Sequence, residues 1–368
     1  MILTLTRANL GGVAKYVATL AHALIADGNQ VLIVTGEVQG AEIEDPVMSS
    51  LPIHRIPSMG RSISPFSDVK AFKSFKAIVN DFQPDIIHSH MAKAGFISRF
   101  ISRSWYRKFG NPVRVHTFHG HSFSEPEFRG LKRKTFLILE KYLAKRAHAL
   151  VSVGGEIKKE LVALGIGNPD LFTNIPPGVE FPKLIQAQIA RHKLALNKSV
   201  HVVAWIGRMT SVKNPHLVMK IAEKFPETTF VMAGGGDLLD EIKCIAPANV
   251  KVLGWSDSAV LLSACDVVLL TSFHEGMPLA LIEAQIAGRP VVATNVGSVS
   301  EVIVNGETGF VGSQDELIRS LELILGDTHL REEIGNKARV RAAKLFTIER
   351  MVDKHRGLYS DLTGNKNI

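Results

Sequence analysis

The sequence predicts an α/β protein of two doubly wound parallel-sheet domains that face each other across a cleft. Three observations carry this. Strand-length apolar runs alternate with helix-length periodic segments from one end of the chain to the other. The runs are apolar throughout, the pattern of parallel strands covered by helices on both faces. Near the middle, "NIPPGVEFPKL" (174–184) interrupts the alternation with three prolines and a glycine, a linker composition. At 368 residues the chain also exceeds the size at which one core usually keeps growing.

The first half opens on "ILTLT", a glycine turn and the periodic helix "VAKYVATLAHALIADG", which closes on Gly28. Then come "QVLIVTG", a helix near 68–82, "PDIIHSH", a helix near 93–109, "VRVHTFHG", a long helix near 130–147 and "ALVSV". After the linker, "HVVAWIGR" leads to the helix "PHLVMKIAEKFP", then "TTFVMAGGG", a short helix, "VKVLG" and a helix near 257–264. "DVVLLTS", the helix "PLALIEAQIAG", "PVVATN", "SEVIVNG" and "TGFVG" complete the second alternation. The expected division is 1–178 and 179–345, each Rossmann-like, with a helix in 346–368 packing back on the first domain. Sheets of this kind bind ligands at the C-terminal ends of their strands.

Composition narrows the function classes. Two cysteines, Cys244 and Cys265, make no disulfide framework and point to a reducing compartment. The start lacks a basic leader followed by a long apolar core, and no apolar run reaches bilayer length, so a cytoplasmic chain is expected. The net charge of +8 is lopsided: residues 1–180 hold 22 Lys and Arg against 15 Asp and Glu, residues 181–368 hold 21 against 20. Much of the excess lies in 96–110 and 129–146, where basic residues interleave with Phe, Ile, Trp and Leu. Two readings stand: solvated faces of amphipathic helices, or a surface for anionic lipid or a lipid-phosphate substrate. Nucleic acid is not expected, because no recognition motif accompanies the charge.

The chemistry concentrates in "HEGMPLALIEAQIAGRPVVATNVGSVSE" (274–301), where Glu275 and Glu283 are eight positions apart. "DVVLLTS" is a buried strand, so "FHEGMP" is the loop at its C-terminal edge. The helix after that loop offers unpaired N–H groups and a dipole favouring an anion. Glu275 then projects into a ligand site, and Glu283 lies about two turns into the helix on its inner face. The plainer alternative is one acid that complements the dipole and one surface glutamate. "IGRMTSVKNP" sets Arg208 and Lys213 just past a strand; Arg suits bidentate phosphate contact and Lys supplies a point charge. On spacing alone they are two loop cations. Gly11 and Gly12 open the first helix and let backbone approach a phosphate or sugar, although no third glycine completes a dinucleotide fingerprint. "GGGD" (234–237) reads first as a tight turn after a strand, with base or phosphate contact as the second reading. The histidines at 88, 90, 116, 119 and 121 invite zinc, but no cysteine is near and each group falls at a strand end.

"EGMPLALIEAQIAGRPVVAT" resembles the E-x7-E signature of retaining GT-B glycosyltransferases of family 4, group 1, which use nucleotide sugars. "ANLGGVAKYVATLAHAL", "HTFHGHSF", "SVGGEIKKEL", "IPPGVEF", "IGRMTSVKNP", "MAGGGD", "VLGW" and "NGETGFV" agree in order and spacing along the whole chain. "RANLGGVAKYV", "PDIIHSHMAKAGFISR" and "HTFHGHSF" are similar to members that assemble bacterial surface polysaccharides, including lipopolysaccharide. The resemblance implies the GT-B fold, with the donor in the C-terminal half and the acceptor mainly against the N-terminal half. It implies that Glu275, with the backbone of Gly276, Met277 and Leu279, holds hydroxyls of the donor sugar, and that Glu283 holds the ribose. It implies that Arg208 and Lys213 hold the diphosphate, that Gly11 and Gly12 face the diphosphate and acceptor, and that His119 contacts the sugar.

The sequence has no Asp-x-Asp for a divalent cation, so neither metal nor cofactor is expected; Arg208, Lys213 and the helix N-terminus take the metal's place. The expected activity moves a sugar, from a UDP-sugar first and GDP-mannose second, to a glycan or lipid-linked acceptor. The expected partners include an anionic membrane touched peripherally through the basic N-terminal half. The rival readings are an epimerase or phosphorylase of the same architecture, or a non-catalytic nucleotide-sugar-binding protein.

Overall fold

The computed structural model describes residues 1–40, 42–60, 64–121, 123, 130–197 and 200–364. Ser122 in "HTFHGHSF" and Arg129 at the head of 129–146 lie outside the described residues, as does the chain end from residue 365. The chain divides into two compact units, Met1–Gly178 with Ile348–Ile368, and Val179–Thr347.

The first unit runs β1 (Ile2–Arg7), α1 (Gly12–Ala26), β2 (Leu32–Gly36), β3 (Ile53–Arg55), α2 (Pro65–Phe82), β4 (Ile86–His90) and α3 (Ala92–Phe100). It continues through α4 (Arg103–Tyr106), β5 (Val113–Phe118), α5 (Gly130–Ala144), β6 (Ala149–Ser152), α6 (Gly155–Ala163) and β7 (Phe172–Asn174). The seven strands lie in the order β3-β2-β1-β4-β5-β6-β7, and every pairing is parallel. Chain order reverses beside β1, so the loop from β1 to α1 sits at the switch point where such sheets take ligands.

The second unit contains α7 (Ala187–Lys193), β8 (Val202–Ile206), α8 (Pro215–Ala222), β9 (Thr229–Ala233), α9 (Leu239–Ile245), β10 (Val250–Gly254), α10 (Ser258–Ala264) and β11 (Val267–Leu270). It goes on through α11 (Leu279–Ile286), β12 (Val291–Thr294), α12 (Val299–Val302), β13 (Phe310–Gly312), α13 (Gln314–Gly326) and α14 (Thr328–Leu345). Its parallel sheet has the order β10-β9-β8-β11-β12-β13, with β8 at the switch point. Helices α8 and α13 pack on one face of it, in a core of Leu217, Val218, Ile221, Leu317, Leu321 and the inward residues of β8, β9 and β11.

The last helix, α15 (Ile348–Thr363), belongs to the first unit. It buries Met351, Val352, His355 and Tyr359, a stripe at helical spacing, and Arg356 forks onto Asp27 at the end of α1 with contacts of 2.7 and 2.8 Å.

Three segments depart from the expected elements. The helix expected near 93–109 breaks after Phe100: Ser102 is extended, its hydroxyl caps Trp105 N–H at 3.2 Å, and a second short helix starts at Arg103. The first three residues of "SEVIVNG" belong to the short helix α12 instead of a strand-like run. The three-residue strands β3 and β7 add edges that the apolar runs did not mark. Among the described residues, no helix is long and apolar enough to cross a membrane.

Candidate active site

The second unit assembles its site from loops at the C-terminal ends of β8, β9 and β11. Met209 N–H donates to Gly235 O at 2.8 Å, which ties the loop after β8 to the loop after β9. Arg208 is exposed on that loop. A short turn over Ser211–Lys213 ends at Asn214, whose left-handed backbone (φ 47°) turns the chain into α8. The buried Thr271 hydroxyl accepts from the Trp205 indole at 3.0 Å and faces the carbonyls of Lys213 and Asn214 at 3.0 and 2.9 Å. Phe273 N–H donates to Val212 O at 2.8 Å. The two loops are therefore pinned together before their side chains meet.

Where they meet, Lys213 Nζ donates to both carboxylate oxygens of Glu275, at 2.6 and 2.7 Å. The Ser272 hydroxyl donates to Oε1 of the same carboxylate. Glu275 is 5% exposed while the Lys213 side chain keeps 23%, so the lysine is the more accessible half of the pair. The backbone beneath is tight. At Gly297, φ is +50° and a Cβ would stand 1.8 Å from Glu275 O, so only glycine fits.

Gly276 and Met277 lead to Pro278, the extended N-cap of α11, whose own side chain makes no capping hydrogen bond. Leu279 is the first helical residue and Glu283 the fifth, which places Glu283 about one turn into the helix, not two. Glu283 is 9% exposed, so it is a buried acid and not a surface glutamate.

Gly11, Gly12 and His119 lie in the first unit. Gly11 precedes α1 with φ 151°, and a Cβ there would meet nothing within 4 Å, so its glycine answers to backbone conformation and not to crowding. Its N–H points to Asp45 Oδ2 at 3.4 Å, an acid close to the helix start that no sequence motif marks.

His119 follows β5 and its Nε2 lies 3.0 Å from His90 Nδ1, with Tyr16 edge-on at 4.9 Å. Behind them Tyr16 OH meets His355 Nε2 at 2.7 Å, and His88 bridges Tyr359 OH and Thr117 Oγ1 at 2.6 and 2.7 Å. Strand alternation separates the remaining histidines: His116 pairs with Ser89 at 2.9 Å on the opposite face, and His121 meets Glu160 at 2.7 Å. Burial drives the His119 and His355 imidazoles down to about 3, and His88, His90 and His116 well below the usual range. The cluster is neutral at pH 7, so His119 there exchanges hydrogen bonds and carries no positive charge.

Residues 10–181 match the family described as Glycosyltransferase Family 4, and residues 186–341 match Glycosyl transferases group 1. The chain is a glycosyltransferase of this family. It is 28% identical to the UDP-Gal:alpha-D-GlcNAc-diphosphoundecaprenol alpha-1,3-galactosyltransferase of Escherichia coli, over 89% of this chain and 88% of that protein. It is 24% identical to the capsular polysaccharide biosynthesis glycosyltransferase CapM of Staphylococcus aureus, over 83% and 84%. Among solved structures it is similar to sucrose-phosphate synthase from Thermosynechococcus elongatus (TM-score 0.84, 21% identity, 99% of both chains). It is also similar to Anabaena HepE in complex with UDP and glucose (TM-score 0.82, 20% identity, 98% and 99%). The glycosyltransferase therefore has the GT-B fold.

The pairing of Lys213 with Glu275 joins two of the residues that the E-x7-E and "IGRMTSVKNP" stretches singled out. Ser272 and Thr271, which hold that pair in place, were missed; both stand inside "DVVLLTS", where a strand's last hydroxyls are the only sequence signal. Tyr16, His355 and Tyr359 were missed as well, because their grouping with His88 and His119 needs a helix from the far end of the chain.

Proposed function

We propose that this glycosyltransferase is retaining and metal-independent, and that it moves a sugar from a UDP-sugar to a lipid-linked or glycan acceptor in cell-surface polysaccharide synthesis. The observation that carries the reading is the Lys213–Glu275 pair, in which a part-exposed cation and a buried carboxylate meet at the C-terminal ends of β8 and β11. The relatives supply the substrate classes: the E. coli protein's name gives a UDP-galactose donor and a diphosphoundecaprenol-linked acceptor, and HepE was crystallised with UDP and glucose. GDP-mannose is the second donor to test.

Arg208 and Lys213 then hold the donor diphosphate, whose charge grows as the sugar leaves, and the N-terminus of α11 adds backbone donors from Gly276 onward. Glu275 accepts from hydroxyls of the donor sugar, and Met277 and Leu279 contribute backbone beside it. Glu283 takes the ribose diol. Gly11 and Gly12 leave backbone accessible to the acceptor side, and neutral His119 hydrogen-bonds the sugar. The leaving phosphate takes the acceptor's proton in a front-face displacement.

The basic first unit supports peripheral contact with an anionic membrane. Its helices α2 and α5 expose Phe66 (86%), Leu131 (79%) and Ile138 (69%) among lysines, as an amphipathic surface would.

Incubation with UDP- and GDP-sugars, with and without EDTA, tests the reading. Nucleoside diphosphate release from a UDP-sugar that persists in EDTA is expected. Turnover lost on chelation and restored by Mn²⁺ would overturn the metal-independent part, and no release from any nucleotide sugar would overturn the donor assignment.

A further inference from the structure

The second unit also holds a cavity of about 470 Å³ between α8 and the start of α13, above the ends of β11 and β12. None of Arg208, Lys213, Glu275 or Glu283 lines it, so this cavity stands apart from the donor assignment. Its size falls in the range of small-molecule sites.

The lining has a definite chemistry. Asn214, Asn295 and Gln314 present three side-chain amides, Lys220 an ammonium, and Phe273 a ring that is 55% exposed. No carboxylate lines the cavity among the described residues. His216, on the same helix face as Lys220, is held by Glu241 at 2.7 Å. The floor hydroxyls are committed: Thr271 to the carbonyls of Lys213 and Asn214, Thr294 to Ser272 O at 2.7 Å. The three amides and Lys220 have no hydrogen-bond or ion-pair partner among the described residues, so they are the groups left to meet a ligand.

An amide both donates and accepts, as a sugar hydroxyl does. An exposed aromatic face in such a setting suits the apolar face of a pyranose ring. One lysine with no opposing acid among the lining residues selects one anionic group, and a bare phosphate would leave the ring and the amides unused. We propose that this cavity binds an anionic sugar, with Lys220 meeting its acid group, Asn214, Asn295 and Gln314 its hydroxyls, and Phe273 its ring. Its floor is shared with the active loops, since Ser272 lines the cavity and donates to Glu275.

Saturation-transfer NMR on the whole enzyme tests this with four probes: glucuronic acid, glucose 1-phosphate, glucose and inorganic phosphate. Lys220→Glu, Phe273→Ala and Lys213→Ala are compared with the parent after their melting temperatures confirm folding. At least one acidic sugar should bind more tightly than glucose or phosphate, and which one binds decides between a uronic acid and a sugar phosphate. Lys220→Glu should weaken it about tenfold or more, the size of one lost charge-assisted contact. Phe273→Ala should weaken it too, and Lys213→Ala should leave it unchanged. The proposal fails if neither acidic sugar binds, or if phosphate alone binds as well. It also fails if Lys220→Glu and Phe273→Ala change nothing, or if binding vanishes in Lys213→Ala, which would assign the signal to the donor loops.

Discussion

Lys213 pairs with Glu275 and is proposed to hold the donor diphosphate, and a substitution can separate the two roles. It neutralises the buried Glu275 carboxylate, and it is expected to meet the diphosphate when donor binds. Lys213→Ala should lower turnover about 10²–10³-fold, as for loss of one donor to charge that grows in the transition state. It should also lower the melting temperature, because Glu275 keeps only Ser272 as a partner from this group. Lys213→Met with Glu275→Gln removes the unpaired charge, so stability should recover while activity stays low. If the double variant regains activity, the pair is structural and the donor reading is wrong. At the level of single residues the sequence was informative where residue type and motif spacing stand out together, as with Lys213 and Glu275, which the fold brings into one ion pair, and Glu283, which it buries. It was silent on Ser272 and Asp45, ordinary polar residues whose importance comes from what tertiary contact places beside them.

Among the elements, the strands were legible because burial on both faces makes each an apolar run, as in "VVAWI" and "VVLL". β3 and β7 were not, because a three-residue edge strand leaves no run to see. In the loops, Gly297→Ala, with its Cβ 1.8 Å from Glu275 O, must displace the segment that carries Glu275. Turnover should fall by at least tenfold with the fold largely retained. An active Gly297→Ala enzyme with an unchanged KM for donor would show that this loop need not be held. The packing of α15 against α1 and β4 makes stability depend on pH. His88, His90, His116, His119 and His355 are neutral in the fold, with His119 and His355 lowered from 6.5 to about 3. The unfolded chain takes up protons below about 6.5 and the folded chain does not. This contribution to stability is therefore complete above that pH and is lost progressively as pH falls toward 3. Calorimetry should show the melting temperature dropping between pH 7.5 and 5; a flat profile would mean the imidazoles protonate in place.

For the whole molecule, two parallel sheets and the charge asymmetry could be read from the sequence, whereas the stripe of α15 that completes the first unit's histidine cluster shows itself only in the folded chain. The charge asymmetry is what membrane contact would use. Each basic residue near an anionic surface contributes about 1 kcal/mol, screened over roughly 8 Å at physiological salt. Binding to anionic liposomes should weaken as salt rises and weaken further when Arg103, Arg107 and Lys108 are reversed to glutamate. Indifference to anionic liposomes at low salt would leave α2, α4 and α5 as solvated surfaces. The central claim, that the enzyme transfers a sugar with retention from a nucleotide donor held at Lys213 and Glu275, has a direct measurement. The anomeric configuration of the product formed from an α-linked UDP-sugar is read by proton NMR, for the parent enzyme and for Lys213→Ala. An α-linked product is expected from the parent, and a rate at least about a hundredfold lower from the variant. A β-linked product, or a Lys213→Ala enzyme that turns over at the parent rate, would contradict it.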